Sequence, residues 1–254
     1  MIKKNQLLVP NVEQNLSLDK PILKIDWCSY EAAKYAVEHW HYSKKMPKSK
    51  SIYLGVWENA KFIGAIVFGL GGGAATNGTQ YGLASCFEIA ELERIALTKH
   101  KSFISRIVAI AVKFLRIQSP NLKMLISYAD PEQGHHGGIY QALGWIYVGK
   151  TKPDWAVIDK SGRRWHSRVA SASGMKTQYG KKVIAPRPQD GKKIILPGKY
   201  KYLYPLNNEI RKQIKPLQKP YPKRAVSKDA VAPEVHSGEG GSIPTTALQT
   251  PPIV

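Results

Sequence analysis

The sequence predicts an α/β (α+β) fold: a mixed central sheet flanked by helices, then a basic C-terminal extension and a disordered tail. Three observations carry this. Between residues 23 and 150, short apolar runs bounded by turn residues alternate with runs at helical spacing. Positive charge is concentrated after residue 150. Residues 225–254 are rich in Pro, Gly, Ser, Thr and Ala and hold little that could build a core. The chain therefore divides into a lead-in (1–22), a core (23–150), a basic extension (151–224) and the tail (225–254).

The elements follow in order. Ser29 caps a helix running to Trp40, with Glu31 in its first turn and Ala33, Ala36, Val37 and Trp40 on the buried stripe. Tyr53–Trp57 and Phe62–Gly69 are strands joined by a tight turn at 58–61, hence an antiparallel hairpin. Residues 69–82 form a Gly-, Ala-, Thr- and Asn-rich loop. Phe87–Leu97 alternates as a strand, although its composition also suits a helix. Ser102–Arg116 repeats apolar pairs every three to four residues and is an amphipathic helix. Lys123–Asp130 is a buried strand, Ile139–Leu143 a short helix stopped by Gly144, and Trp145–Val148 a strand. Trp155–Asp159 and Trp165–Ala170 flank a basic hairpin turn. From Lys176 to Arg224 the chain is lysine-rich and punctuated by proline, with one helix at Asn208–Ile214.

Composition narrows the function classes. Two cysteines, Cys28 and Cys86, exclude a disulfide-stapled secreted domain. No apolar run reaches the ~18 residues of a membrane span, and the N-terminus lacks a secretory pattern, so a cytoplasmic location without a membrane partner is expected. The net charge is +20, split as +6 over residues 1–149, +16 over 150–224 and −2 over 225–254. A block of that kind repels itself unless it sits on a polyanion, so nucleic acid is the expected partner and a solubilising extension the bland alternative. Lys99, His100 and Lys101 stand just before the long helix, whose N-terminal amides favour anions; solvated lysines at an ordinary cap are the alternative.

The element order is similar to that of the GNAT acyltransferase fold. The run Gly138-Ile139-Tyr140-Gln141-Ala142-Leu143-Gly144-Trp145 resembles that superfamily's signature of a tyrosine on a short helix ending in Leu-Gly. Longer runs resemble the Mom family of phage DNA-modification proteins: residues 27–58, ELERIALTKHK, SYADPEQGHHGGIYQALGWIYVGKT and PLNNEIRKQIKPLQKPYPKR. The resemblance covers about residues 23–224. It implies an enzyme that modifies the N6 amine of adenine in double-stranded DNA with a methylcarbamoyl or acetamido-type group, protecting phage DNA from host restriction. It also implies iron, with His39, Asp130 and Tyr140 as its ligands and as the catalytic residues. The GNAT resemblance implies acetyl-CoA or a related donor, with Lys99, Lys101, Ser102 and Ser105 about its pyrophosphate, although serines stand where that fold has glycines.

Chemistry restricts these expectations. A target atom on a base must leave the stack, which requires phosphate grip and aromatic surfaces. Arg163, Arg164, Arg168, Lys181 and Lys182 are the expected DNA contacts; Trp40, Tyr42 and Trp165 are candidate stacking surfaces, each with core packing as its alternative. Asp130 also reads as a turn former before Pro131, and Tyr140 as packing. Two competing functions remain: a non-catalytic DNA-binding protein on the same scaffold, and an ordinary acetyl-CoA-dependent N-acetyltransferase. The charge of +20 disfavours a polycationic substrate for the latter.

Overall fold

A computed structural model describes residues 20–70, 78–170, 174–178 and 181–223. Most of the lead-in, much of the glycine-rich loop and the tail expected to be disordered lie outside the described residues, as do the side chains of Arg168, Lys181 and Lys182. The core elements are β1 (Leu23–Trp27), α1 (Tyr30–Trp40), β2 (Ser51–Glu58), β3 (Lys61–Gly69), β4 (Ile89–Leu97), α2 (Ile104–Gln118), β5 (Met124–Ala129), α3 (Gly138–Ala142) and β6 (Ile146–Lys150). The basic stretch adds β7 (Asp154–Ile158), β8 (Arg164–His166), α4 (Ser167–Ala170), β9 (Gly174–Gln178), β10 (Lys181–Ala185), β11 (Lys192–Leu196), β12 (Tyr200–Pro205) and α5 (Asn208–Ile214).

The central sheet has seven strands in the order β1-β2-β3-β4-β5-β12-β6. All neighbours are antiparallel except β4 and β5, which are parallel. Helices cover both faces, which is the mixed central sheet flanked by helices that the sequence predicts. On one face, Ile107, Val108, Ala111 and Leu115 of α2 pack against Leu54, Ile66, Phe68, Leu92 and Leu125. Their spacing is a helical stripe, and full burial of each large aliphatic contributes about 1.5–3 kcal/mol. On the other face, Ala33, Ala36 and Val37 of α1 meet Ala65, Val67 and Ala96. The small side chains on both surfaces let the helix lie close to the sheet. Ser29 accepts a hydrogen bond from the Ala32 amide, as its position before the helix predicts.

The β2–β3 hairpin turns through Asn59 and Ala60, both left-handed (φ 50° and 63°), a geometry matched to the strand twist. The lead-in was expected to reach residue 22, and a strand starts directly after it: Leu23, Ile25 and Trp27 alternate with Lys24 and Asp26. The second arm of the basic hairpin differs from expectation, because strand ends at His166 and Ser167–Ala170 is a helical turn. β7, β8 and β11 form a separate three-stranded sheet, and β9 pairs with β10 alone. β12 leaves the basic stretch and enters the core between β5 and β6, so the sheet is completed only by residue 205. Among the described residues both cysteines are free, and no helix is long and apolar enough to cross a membrane.

Gly64 has φ +145°, and a Cβ there would lie 2.0 Å from the Ala96 carbonyl oxygen on β4. Gly64→Ala is expected to destabilise the fold by about 2 kcal/mol or more, read as a lower urea midpoint with unchanged m-value.

Candidate active site

The site begins where two strands part. β4 and β5 pair only from Ile89↔Met124 to Glu91↔Ile126. Beyond that point β4 bends, because Glu93 is an extra residue between the β3 partners of Leu92 and Arg94. The Leu92 carbonyl, no longer paired to β5, is met instead by the Ser127 hydroxyl at 2.8 Å. The same hydroxyl lies 2.8 Å from the hydroxyl of Tyr140 on α3. Tyr140 is buried against Trp145 and Tyr202, with ring centroids 5.0 and 5.2 Å away. Burial, with the nearby Glu91 carboxylate and despite the Ser127 hydrogen bond, pushes its phenol up to about 12. It is a proton donor at neutral pH. Glu91 also raises the neighbouring Tyr128 phenol, beside the dominant effect of burial.

A cavity of about 300 Å³ opens here, lined by Tyr128, Tyr140, His135, His136 and the glycines at 134, 137 and 138. Its rim is moulded by β12: the Tyr202 hydroxyl donates to the His136 carbonyl at 2.6 Å. Gly137, at φ +88°, leaves room for that ring, which an added Cβ would approach to 2.3 Å.

Beside the cavity lies the segment that follows α1, which reaches its lining through the Tyr42–His135 ring contact. His41 takes the extended C-cap conformation and turns inward to become buried. The Ser43 amide donates to its Nδ1 at 3.1 Å, so the ring proton resides on Nε2. Burial, followed by the charges of Arg94, His135 and Lys44, holds its pKa down at about 4. Tyr42 is exposed, with its ring 4.2 Å from the His41 ring and 5.6 Å edge-to-face from His135. The loop behind it is tied to bent β4: Ser49 and Ser51 donate to the Glu93 carboxylate at 2.7 and 3.2 Å. Arg94 donates to the Lys45 carbonyl.

Of the expected catalytic and iron-binding residues, only Tyr140 stands in this cleft with its side chain directed at the strand parting. His39 is exposed on α1, stacked on Tyr35, with Nδ1 2.8 Å from the Tyr35 carbonyl. It faces away because the sheet-facing stripe is Ala33, Ala36, Val37 and Trp40. Asp130 accepts from the Glu132 amide at 3.0 Å and pairs with Lys199 at 3.0 Å, which is the turn-forming role. The three side chains are committed to separate partners, and no group of three His, Cys, Asp or Glu suited to a metal occurs among the described residues. Held by these separate partners, the three side chains do not come together as an iron site in this structure. The sequence reading names Tyr42 as a stacking candidate but does not single out His41, Glu91, Ser127 or His135, which the structure brings near the cleft. The stop of the helix at Trp40, which frees His41 to turn inward, was the available signal.

The expected pyrophosphate residues are also differently engaged. The amides of Lys101 and Ser102 donate to the two carboxylate oxygens of buried Glu58, at 2.9 and 2.8 Å. Lys99 and Lys101 are exposed, Ser102 is buried and Ser105 half-buried. This does not fit a cradle for the coenzyme's pyrophosphate.

In the basic stretch, Arg163 lies over Trp165 at 4.2 Å, and Arg164 pairs with Glu132 at 2.7 Å. Trp165 is buried and donates to Asp159, and Trp40 packs against Phe62, so Tyr42 is the exposed aromatic of the three stacking candidates. Asp159 accepts from Ser161, Trp165 and Arg163, and these bonds hold its carboxyl down at about 2.

The sequence matches the family model described as the Mom protein family over residues 22–223. A curated relative, "Methylcarbamoylase mom" of Escherichia phage Mu, is 23% identical over 207 residues, covering 79% of this chain and 84% of the relative. Similar solved structures include an N-acetyltransferase from Staphylococcus aureus Mu50 (13% identity, 73% of this chain and 98% of that one, TM-score 0.40). Another is FeeM, an N-acyl amino acid synthase from uncultured soil microbes (10% identity, 78% and 96%, TM-score 0.40).

His41 carries a pH prediction. Its folded pKa lies below its ordinary 6.5, so the unfolded chain binds the proton more readily. Its contribution to stability is complete above pH 6.5 and is lost as the pH falls toward about 4. In His41→Asn the amide oxygen can stand in for Nδ1. Urea midpoints at pH 7 and 4.5 should fall less between the two for this variant than for the parent.

Proposed function

Because the chain belongs to the Mom protein family, we propose that it is a transferase acting on the N6 amine of adenine in double-stranded DNA. The group added is of the methylcarbamoyl or acetamido type, and it protects phage DNA from host restriction. The observation that carries this reading is the family match over residues 22–223. The open cleft at Tyr140, with a basic stretch alongside, supports it.

The reaction replaces one N6–H bond with a bond from N6 to carbon of the transferred group. The proton leaves N6, the bond between that carbon and the donor's leaving group breaks with its electron pair going to the leaving group, and the leaving group takes up a proton. Adenine's amine is a poor nucleophile because its lone pair is delocalised into the ring, so proton removal must accompany attack. Glu91, at the parting, is the base. Tyr140 is the proton donor to the leaving group, its phenol protonated by virtue of burial. Ser127 has one hydroxyl proton and two acceptors, Leu92 O and Tyr140 Oη. It turns from the carbonyl to the phenolate when Tyr140 gives its proton away. Tyr42 stacks on the flipped base, and the His41 Nε2–H supplies a neutral donor beside the cavity. The phosphates are held by exposed cations of residues 151–224.

Nucleosides from the DNA of cells making the protein, separated and weighed, should include a new adenosine species. Its absence, with the protein folded and bound to DNA, overturns the reading. Tyr140→Phe keeps the ring and should lower the yield at least ~100-fold while leaving DNA binding unchanged. Replacing Arg163, Arg164, Arg168, Lys181 and Lys182 by Ala should flatten the log–log salt dependence of DNA binding by about 0.9 for each phosphate that these side chains neutralise. An unchanged slope places the grip elsewhere.

A further inference from the structure

We infer that the loop between β4 and α2 carries its own anion, Glu58, and that a donor built on a pyrophosphate, such as a coenzyme A thioester, is not anchored there. This concerns the donor and stands independently of which acceptor is modified.

Glu58 is the last residue of β2, is 8% exposed, and lies more than forty residues from the loop it reaches. Its two oxygens take the consecutive amides of Lys101 and Ser102, one each, at 2.9 and 2.8 Å. A backbone N–H makes one strong hydrogen bond, so these two donors are already satisfied. A phosphate on the same amides would have to expel the carboxylate, leaving a buried charge without partners. A phosphate beside it, on the first turn of α2, would face the same negative charge at close range. Glu58 remains ionised: burial pushes its carboxyl up, but the Lys101 and Ser102 hydrogen bonds and the His100 charge outweigh this and hold it below the ordinary range.

The local sequence points the same way. Lys99-His100-Lys101-Ser102-Phe103-Ile104-Ser105 contains no glycine, so every residue places a Cβ at the loop. Phe103, at the N-cap of α2, is 82% exposed and supplies no capping hydrogen bond. Lys99 and Lys101 are exposed, and it is the Lys101 backbone amide that meets the carboxylate. The donor's recognised part must then lie in the Tyr128–Tyr140 cavity rather than along α2.

Calorimetric titration of the full chain with coenzyme A and with inorganic pyrophosphate decides this. The parent should show no saturable binding of either that Lys101→Ala abolishes, and neither ligand should slow hydrogen exchange at the amides of 101–106. Saturable binding that Lys101→Ala removes, or protection of those amides, overturns the inference. Glu58→Gln removes the charge and retains one acceptor. If it folds, pyrophosphate binding should rise at least ~10-fold, and no rise would overturn the role given to Glu58. If it does not fold, the parent titration still decides.

Discussion

The Ser127 hydroxyl lies 2.8 Å from both the Leu92 carbonyl and the Tyr140 hydroxyl, and the cleft depends on that bridge. Where parallel strands separate, a carbonyl on the departing strand loses its partner, and an unpaired buried carbonyl is costly. Ser127 offsets that cost from within β5 and ties α3 to the same point. The parting therefore becomes a stable feature, and Tyr140 is fixed over it. The bulge at Glu93 sets the direction in which β4 departs. The loop holding His41 and Tyr42 is wired to that bulge through Ser49, Ser51 and Arg94, so this neighbouring loop and the strand parting are referred to one distortion in one strand.

The basic stretch is joined to this frame rather than appended to it. Its last strand, β12, completes the central sheet, and Tyr202 on that strand shapes the His136–Gly137 rim. Two ion pairs, Arg164–Glu132 and Lys199–Asp130, clip the basic residues to the turn that precedes the cavity. Both pairs are partly exposed and contribute at most about 1 kcal/mol each, so they serve alignment more than stability. Under the proposed function, a duplex held by the basic surface would have a fixed position relative to Tyr140.

Local patterns made most of the fold legible. Helix α1, the β2–β3 hairpin, α2 and the span of α5 follow from caps, periodicity and turn residues close in sequence. The place of β12 was not legible, because Tyr200–Pro205 reads as any alternating strand and only its partners, β5 and β6, fix it. The same distinction explains the site. Tyr140 carries a local signature that points to it. The resemblance leads to His39, two residues before His41: the end of the helix at Trp40 is legible, but the inward turn of the histidine that follows it is set by tertiary packing. Asp130 before Pro131 keeps its local role as a turn former. Glu58 reads as a turn residue because its partners, Lys101 and Ser102, are supplied by tertiary contact.

If the Ser127–Tyr140 bridge is the element on which catalysis rests, the two residues must act as one unit. The direct measurement is a double-mutant cycle of Ser127→Ala and Tyr140→Phe, read as the single-turnover rate of adenine modification. Each single substitution should cost most of the rate, and the double variant should be scarcely slower than Tyr140→Phe alone. Losses that multiply independently would contradict the account and leave Ser127 a packing residue of the strand junction.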